Sequence, residues 1–218
     1  MGIDFSSISH SLRSTSGGAF KLSHLHEALA AALGYKSYAA YKASTEEAPL
    51  FDGAQHIVTD GDLLAKRMVE LGHADPDAAE AMGNAIKRAF QTRLPNVKVH
   101  SDVDDLKSEI YADVVDAIEN SGSYSGEIAM TNAYGGDFDV ELEEACPIQT
   151  CQPDWILSAS GTSTLEQDPD NVYHGHVIDV TARVVFQKLG RRVLGEMEVD
   201  EVGAGIQEDI PEEDPTES

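Results

Sequence analysis

The sequence predicts an α+β fold: an N-terminal helical region followed by a mostly antiparallel β-sheet, with a disordered acidic C-terminal tail. Three observations carry this reading. Apolar residues recur every three to four positions up to about residue 120, the period then changes to two, and from residue 204 acids accumulate while apolar residues thin out. With 218 residues, 41% of them hydrophobic, the chain is long enough to bury a real core.

Residues 1–18 are rich in Ser and Gly and show no apolar period, which reads as a flexible leader. Residues 19–45 read as a helical hairpin. Leu22, Leu25, Leu29 and Leu33 share a helix face, Ser23 is available as its cap, Gly34 stops it, and a second short helix begins near Ser37 with Tyr38 and Tyr41. The helical region over 46–120 opens on a linker from Glu46 to Gly53 and a short extended segment from Gln55 to Val58. Three helices follow. Residues 60–72 carry Leu64, Met68 and Leu71 and end at Gly72. In 76–93, Asp75 caps the helix and Pro76 takes the first turn, with Met82, Ile86, Ala89 and Phe90 inward. In 102–119, Ser101 and Asp104 supply an approximate capping box ahead of the stripe Leu106, Ile110, Val114, Ile118.

Residues 121–203 read as an antiparallel β region. Tyr124 to Thr131 and Asp137 to Glu143 are two strands turning at Tyr134-Gly135-Gly136, where a positive φ is available. Trp155 to Ser160 is a third strand, with Trp155 in the core. Val172 to Gln187 is a fourth and Arg192 to Val199 a fifth, joined through Leu189-Gly190-Arg191. Residues 204–218 form the acidic tail, which has too few apolar groups to pack.

Charge is the most informative property of the chain. The formal net charge is −24, which repels phosphate and argues against broad binding to nucleic acid or anionic membrane. The acids are clustered. Residues 1–107 hold 11 bases and 14 acids, whereas residues 108–182 hold 15 acids and no Lys or Arg. The remaining four bases all lie at or before Arg192, leaving the end of the chain acidic. A clustered excess points to one acidic region facing a particular partner, where general acidity would decorate every surface alike.

Within that region, the strand Asp137 to Glu143 alternates strictly. Residues i and i+2 share a face, so Asp137, Asp139, Glu141 and Glu143 line one side and Phe138, Val140 and Leu142 the other. Such a ladder also discourages edge-to-edge pairing, the plainer role it has to be weighed against. The function expected is that of a non-catalytic regulatory or adaptor protein whose acidic β region binds a basic partner, most simply a nucleic-acid-binding protein. The tail acids Glu212, Glu213 and Asp214 would add steering.

Two alternatives belong to other classes. The segment 26–45 resembles a helix–turn–helix in its spacing, with Gly34 at the turn. A DNA-binding regulator would use Lys36, Ser37 and Lys42, and across residues 1–44 Arg13, Lys21, Lys36 and Lys42 outnumber Asp4 and Glu27. The other alternative is a metal-dependent enzyme. His174 and His176 lie two apart on a strand, and Cys146 and Cys151 in a Pro-flanked loop could complete a zinc site, although that Cys spacing is wider than zinc sites usually show. His24 and His26, two apart on a helix, diverge. No phosphate-binding glycine loop, nucleophile elbow or helical zinc motif occurs, and Asp168-Pro-Asp170-Asn171 begins like a calcium loop but has Tyr173 where glycine is needed.

The start MGIDFSS lacks the basic and apolar stretches of a signal peptide, and two cysteines make no disulfide framework, so a cytoplasmic protein is expected. Gly2 and Ser6 fit an N-myristoylation pattern, but no base in residues 3–12 supplies a second membrane signal. No apolar run approaches the ~20 residues of a membrane helix.

Overall fold

The computed structural model describes residues 4–18, 20–44, 51–131, 133–150, 153–167 and 177–207. Helices come first and strands follow, as the periodicity predicts. The helices are α1 (Phe5–Thr15), α2 (Leu22–Ala32), α3 (Tyr38–Ala43), α4 (Gly61–Glu70), α5 (Pro76–Arg93), α6 (Val103–Glu119) and α7 (Gly122–Met130). The strands are β1 (His56–Val58), β2 (Lys98–His100), β3 (Ala133–Glu144), β4 (Asp154–Gln167), β5 (Val177–Lys188) and β6 (Val193–Ile206). They form one sheet in the order β2-β1-β6-β5-β4-β3, with β3 at an edge. No helix among the described residues is long and apolar enough to cross a membrane.

The chain divides into two compact units, and the long strands contribute residues to both. The first comprises residues 1–110, 144–156 and 185–198; the second comprises residues 111–143, 157–184 and 199–218.

In the first unit, α1, α2, α4 and α5 close over a core that includes Ile8, Leu12, Leu25, Leu29, Met68, Ile86 and Phe90. The parallel pair β1–β2, in register Ile57↔Val99, turns Ile57 and Val99 into that core. The opposite face of β2 carries Lys98, which meets Glu109 of α6 at 2.9 Å. Antiparallel pairing of Ile57 with Val193 joins β6 to this group. Asp75 caps α5 through the Asp77 amide, with Pro76 in the first turn. At α6 the cap is one residue later than the sequence indicates: Asp102 accepts from the Asp105 amide, and Asp105 reaches back to the Ser101 amide, both at 2.8 Å.

In the second unit, Val114 and Ile118 of α6 and Tyr124 of α7 are buried, as are Val140, Leu157, Leu165, Ile178, Val180 and Val184 of the strands. Burial alternates along β5, with Ile178, Val180 and Ala182 inward and Asp179 and Thr181 exposed. Gly161 is glycine of necessity, since a Cβ there would lie 1.9 Å from the Asp139 carbonyl oxygen.

Several expectations are corrected. The flexible leader is α1: Asp4 accepts from the Ser7 amide, and Phe5, Ile8 and Leu12 at i, i+3 and i+7 are buried. The serines between them hide that stripe. Leu22–Ala32 is capped at Lys21 without a side-chain hydrogen bond, so Ser23 is not the cap. Tyr124 to Thr131, expected as a strand, is helical over Gly122–Met130 because Ser121 caps the Tyr124 amide and Tyr124 and Ile128 fall on one helical face. Tyr134-Gly135-Gly136 is therefore not a hairpin turn but the beginning of β3. The third and fifth expected strands are longer, β4 continuing through Gly161-Thr162-Ser163-Thr164 and β6 to Ile206. Residues 204–206, expected in the tail, therefore belong to β6, and residues 208–218 lie outside the described residues. The strand β2, only three residues long, has no counterpart in the periodicity of the sequence.

Candidate interaction surface

β3 places Asp137, Asp139, Glu141 and Glu143 on one side of an edge strand, and all four are exposed. Val140 on the other side is buried, and Phe138 and Leu142 are half-buried. Phe138 meets the Tyr124 ring at 5.2 Å, and the Tyr111 hydroxyl donates to the Phe138 carbonyl at 3.0 Å. The alternation is thus anchored from the apolar side, which fixes the register of the acids. Each of these carboxylates is more than 4 Å from any described base, since the ion pairs among the described residues involve other acids.

The division of charge follows the division of the fold. The second unit holds 20 acids and a single base, Arg183, for a net charge of −19, whereas the first holds 19 acids and 14 bases, for −5. Arg183 is itself held by Asp200 at 3.1 Å and Glu201 at 3.6 Å, so its charge is locally committed. Glu201 has a φ of +49°, the one positive φ among described residues other than glycine, next to Asp200. Glu212, Glu213 and Asp214 lie outside the described residues.

The paired bases of the β5–β6 connection serve the first unit. Arg192 is buried, donates to the Thr59 carbonyl at 3.1 Å and pairs with Asp60 at 2.8 Å. Arg191 lies 4.8 Å over the Tyr35 ring. Trp155 is in the core, as expected, its ring nitrogen donating to the Cys146 carbonyl at 3.1 Å.

For the metal alternative, Cys146 is disulfide-bonded, which removes its sulfur as a thiolate ligand. Cys151, His174 and His176 lie outside the described residues. Among the described residues no group of three or more His, Cys, Asp or Glu side chains is arranged to hold a metal ion.

For the DNA-binding alternative, α2 and α3 are joined through Gly34 at a φ of +83°. α3 spans only six residues. The Ser37 hydroxyl accepts from the Ala40 amide at 3.0 Å, and the Lys42 ammonium sits 5.0 Å over the Tyr38 ring. Lys36 is exposed. Phe5, Tyr38 and Tyr41 stack beside these residues, and burial pushes the Tyr41 hydroxyl up to about 12, so it stays protonated at neutral pH.

Sequence reading missed two histidine pairs because their members are far apart in the chain. His24 Nδ1 lies 3.0 Å from His73 Nε2, while His26 instead packs 4.7 Å from Tyr38, so the two residues of the His-x-His motif do diverge. His56 Nδ1 lies 3.0 Å from His100 Nε2, with both side chains buried and the rings 22° from parallel. Burial holds His100 below the ordinary imidazole range, against the opposing pull of Asp105 and Glu109.

No family model matches the chain, and no curated protein or solved structure is significantly similar to it.

Proposed function

We propose that the protein is a non-catalytic regulatory or adaptor protein whose acidic β region binds a basic partner, a nucleic-acid-binding protein being the simplest candidate. One observation carries the reading: −19 of the net charge of −24 belongs to one compact unit, and that unit presents on an edge strand four exposed carboxylates without an ion-pair partner among the described residues. Four like charges along one strand repel one another, and a row of Lys and Arg side chains relieves that repulsion on contact. The binding residues are Asp137, Asp139, Glu141 and Glu143, with Glu212, Glu213 and Asp214 contributing steering.

The DNA-binding reading through Lys36, Ser37 and Lys42 is less well supported. α3 is short, and both Ser37 and Lys42 already have intramolecular partners.

The test is capture of partners from native lysate on the tagged full chain, eluted in salt steps, followed by a rate measurement on the partner recovered. The variant Asp137→Asn/Asp139→Asn/Glu141→Gln/Glu143→Gln is expected to associate more slowly and to show a shallower dependence on salt. An unchanged salt slope with that variant rejects the assignment. Nucleic acid eluting without a basic protein would transfer it to residues 26–45.

A further inference from the structure

The first unit contains a second candidate site, separate from the ladder Asp137, Asp139, Glu141 and Glu143. The chain leaves the carboxyl end of β1 into α4 and the carboxyl end of the adjacent parallel strand β2 into α6. These helices lie against opposite faces of the pair: Leu64 of α4 shares the core with Val99, whereas Glu109 of α6 pairs with Lys98. Where successive connections diverge to opposite faces of parallel strands, a crevice is left outside the strand ends, and ligands of open α/β sheets settle there.

The crevice is present. On the α4–α5 side it is a cavity of about 360 Å³ with an apolar wall that includes Leu64, Ala65, Ala79 and Val99. Small side chains create the space, with Ala65 of α4 and Ala79 and Gly83 of α5 in its walls. Through Thr59, Gly61 and Ser101 it adjoins a second, polar space of about 390 Å³ towards α6. The apolar part lies within the size range of small-molecule sites and would hold roughly a dozen non-hydrogen atoms at 30 Å³ each.

Charge selects the ligand. The two spaces are lined by six carboxylates and two bases. Arg192 is committed to Asp60, and Lys87, on the α5 wall of the apolar cavity with Glu80, makes no ion pair among the described residues, so the lining as a whole stays net negative. Glu80 on the rim of the apolar cavity and Asp62 in the adjoining space have no ion-pair partner among the described residues. We propose that this crevice binds a small organic amine, its apolar body against Leu64, Ala65, Ala79 and Val99 and its ammonium towards Glu80 and Asp62.

The experiment is a titration of the ¹⁵N-labelled full chain, followed by amide shifts, with phenethylamine and separately with 3-phenylpropanoate, a near-isosteric anion. The amine should give saturable shifts at Gly61, Ala65, Gly83, Asn84 and Ser101, and the carboxylate should give none there. Glu80→Gln should weaken the amine by up to about fivefold, the scale of an exposed charge pair. Ala79→Leu, which fills the cavity, should abolish the shifts, and Ala65→Leu serves the same purpose if the first variant loses its dispersed spectrum. Equal binding of amine and carboxylate overturns the ligand class. Absence of saturable shifts with the native chain, or unchanged shifts in a folded filling variant, overturns the site.

Discussion

Tyr124 and Ser163 form a hydroxyl pair whose removal by two substitutions should cost less than the sum of the two single losses. The oxygens are 2.6 Å apart, and the residues are 1% and 0% exposed. Gly136 seals the site: a Cβ there would lie 2.3 Å from the Ser163 oxygen and 2.9 Å from the Tyr124 oxygen. Tyr124→Phe keeps the ring against Phe138 but strands the Ser163 hydroxyl away from water, at a cost of about 1–3 kcal/mol. Ser163→Ala strands the Tyr124 hydroxyl at a similar cost. The double variant leaves neither group unsatisfied, so its loss should fall below the sum of the singles by about 1–2 kcal/mol. Urea unfolding followed by far-ultraviolet circular dichroism, compared at unchanged m-value, measures all four corners of the cycle. The outcome bears on α7 as well, because Tyr124 reaches Ser163 from the first turn of that helix. Strictly additive losses would refute the pairing.

Three further outcomes follow from the first unit. Burial lowers the folded-state pKa of His100 below the unfolded value of 6.5, so stability should be full above that value and decline as pH falls beneath it towards the folded pKa; His100→Gln should flatten that limb of a urea-midpoint profile. Asp105 shows the opposite arrangement, its carboxyl held down first by the Ser101 amide, so its contribution is present above 3.8 and lost as pH falls further; Asp105→Asn should remove this acid limb and cost about 1 kcal/mol at neutral pH. Gly34→Ala should cost about 1–2 kcal/mol for the φ of +83° plus an added penalty, because its Cβ would sit 3.3 Å from the Arg192 side chain. Gly72→Ala, with a φ of +87° and open space, should carry only the backbone part in a thermal-melt comparison.

Where one physical signal dominated, the sequence was legible. α5 is read to the residue because Asp75, Pro76 and a long apolar stripe agree. The face assignment of β3 is likewise legible because strict alternation leaves only one way to bury Val140. Reading failed where polar residues occupy regular structure. The serines of α1 conceal a buried stripe, Ser and Gly in α7 give neither period, and the Gly-Thr-Ser-Thr run of β4 resembles a loop. In each case long-range packing supplies what propensity lacks: Phe5 against Tyr41, Tyr124 against Ser163, and Gly161 beneath the Asp139 carbonyl. The β1–β2 crevice was illegible for a different reason. Its walls come from residues some twenty to forty positions apart, and a three-residue strand leaves almost no periodic trace.

The acidic ladder separates a binding role from a structural one by the sign of its effect on stability. Carboxylates two residues apart on a strand are ~6.6 Å apart, and each neighbouring pair repels by about 0.6 kcal/mol in water, so the three neighbouring pairs on β3 cost roughly 2 kcal/mol at low salt. The cost shrinks at physiological ionic strength, where the Debye length is about 8 Å. Residues two apart stay nearly as close in the unfolded chain, so neutralising Asp137, Asp139, Glu141 and Glu143 should stabilise the protein at low salt by only a fraction of that cost, a gain that fades as salt is added, while weakening capture of a basic partner. Residues retained for stability move the other way. If the quadruple variant unfolds at lower urea than the native chain, the acids contribute to the fold and the repulsion argument fails. A gain in stability with no change in partner binding would leave them as edge protection alone.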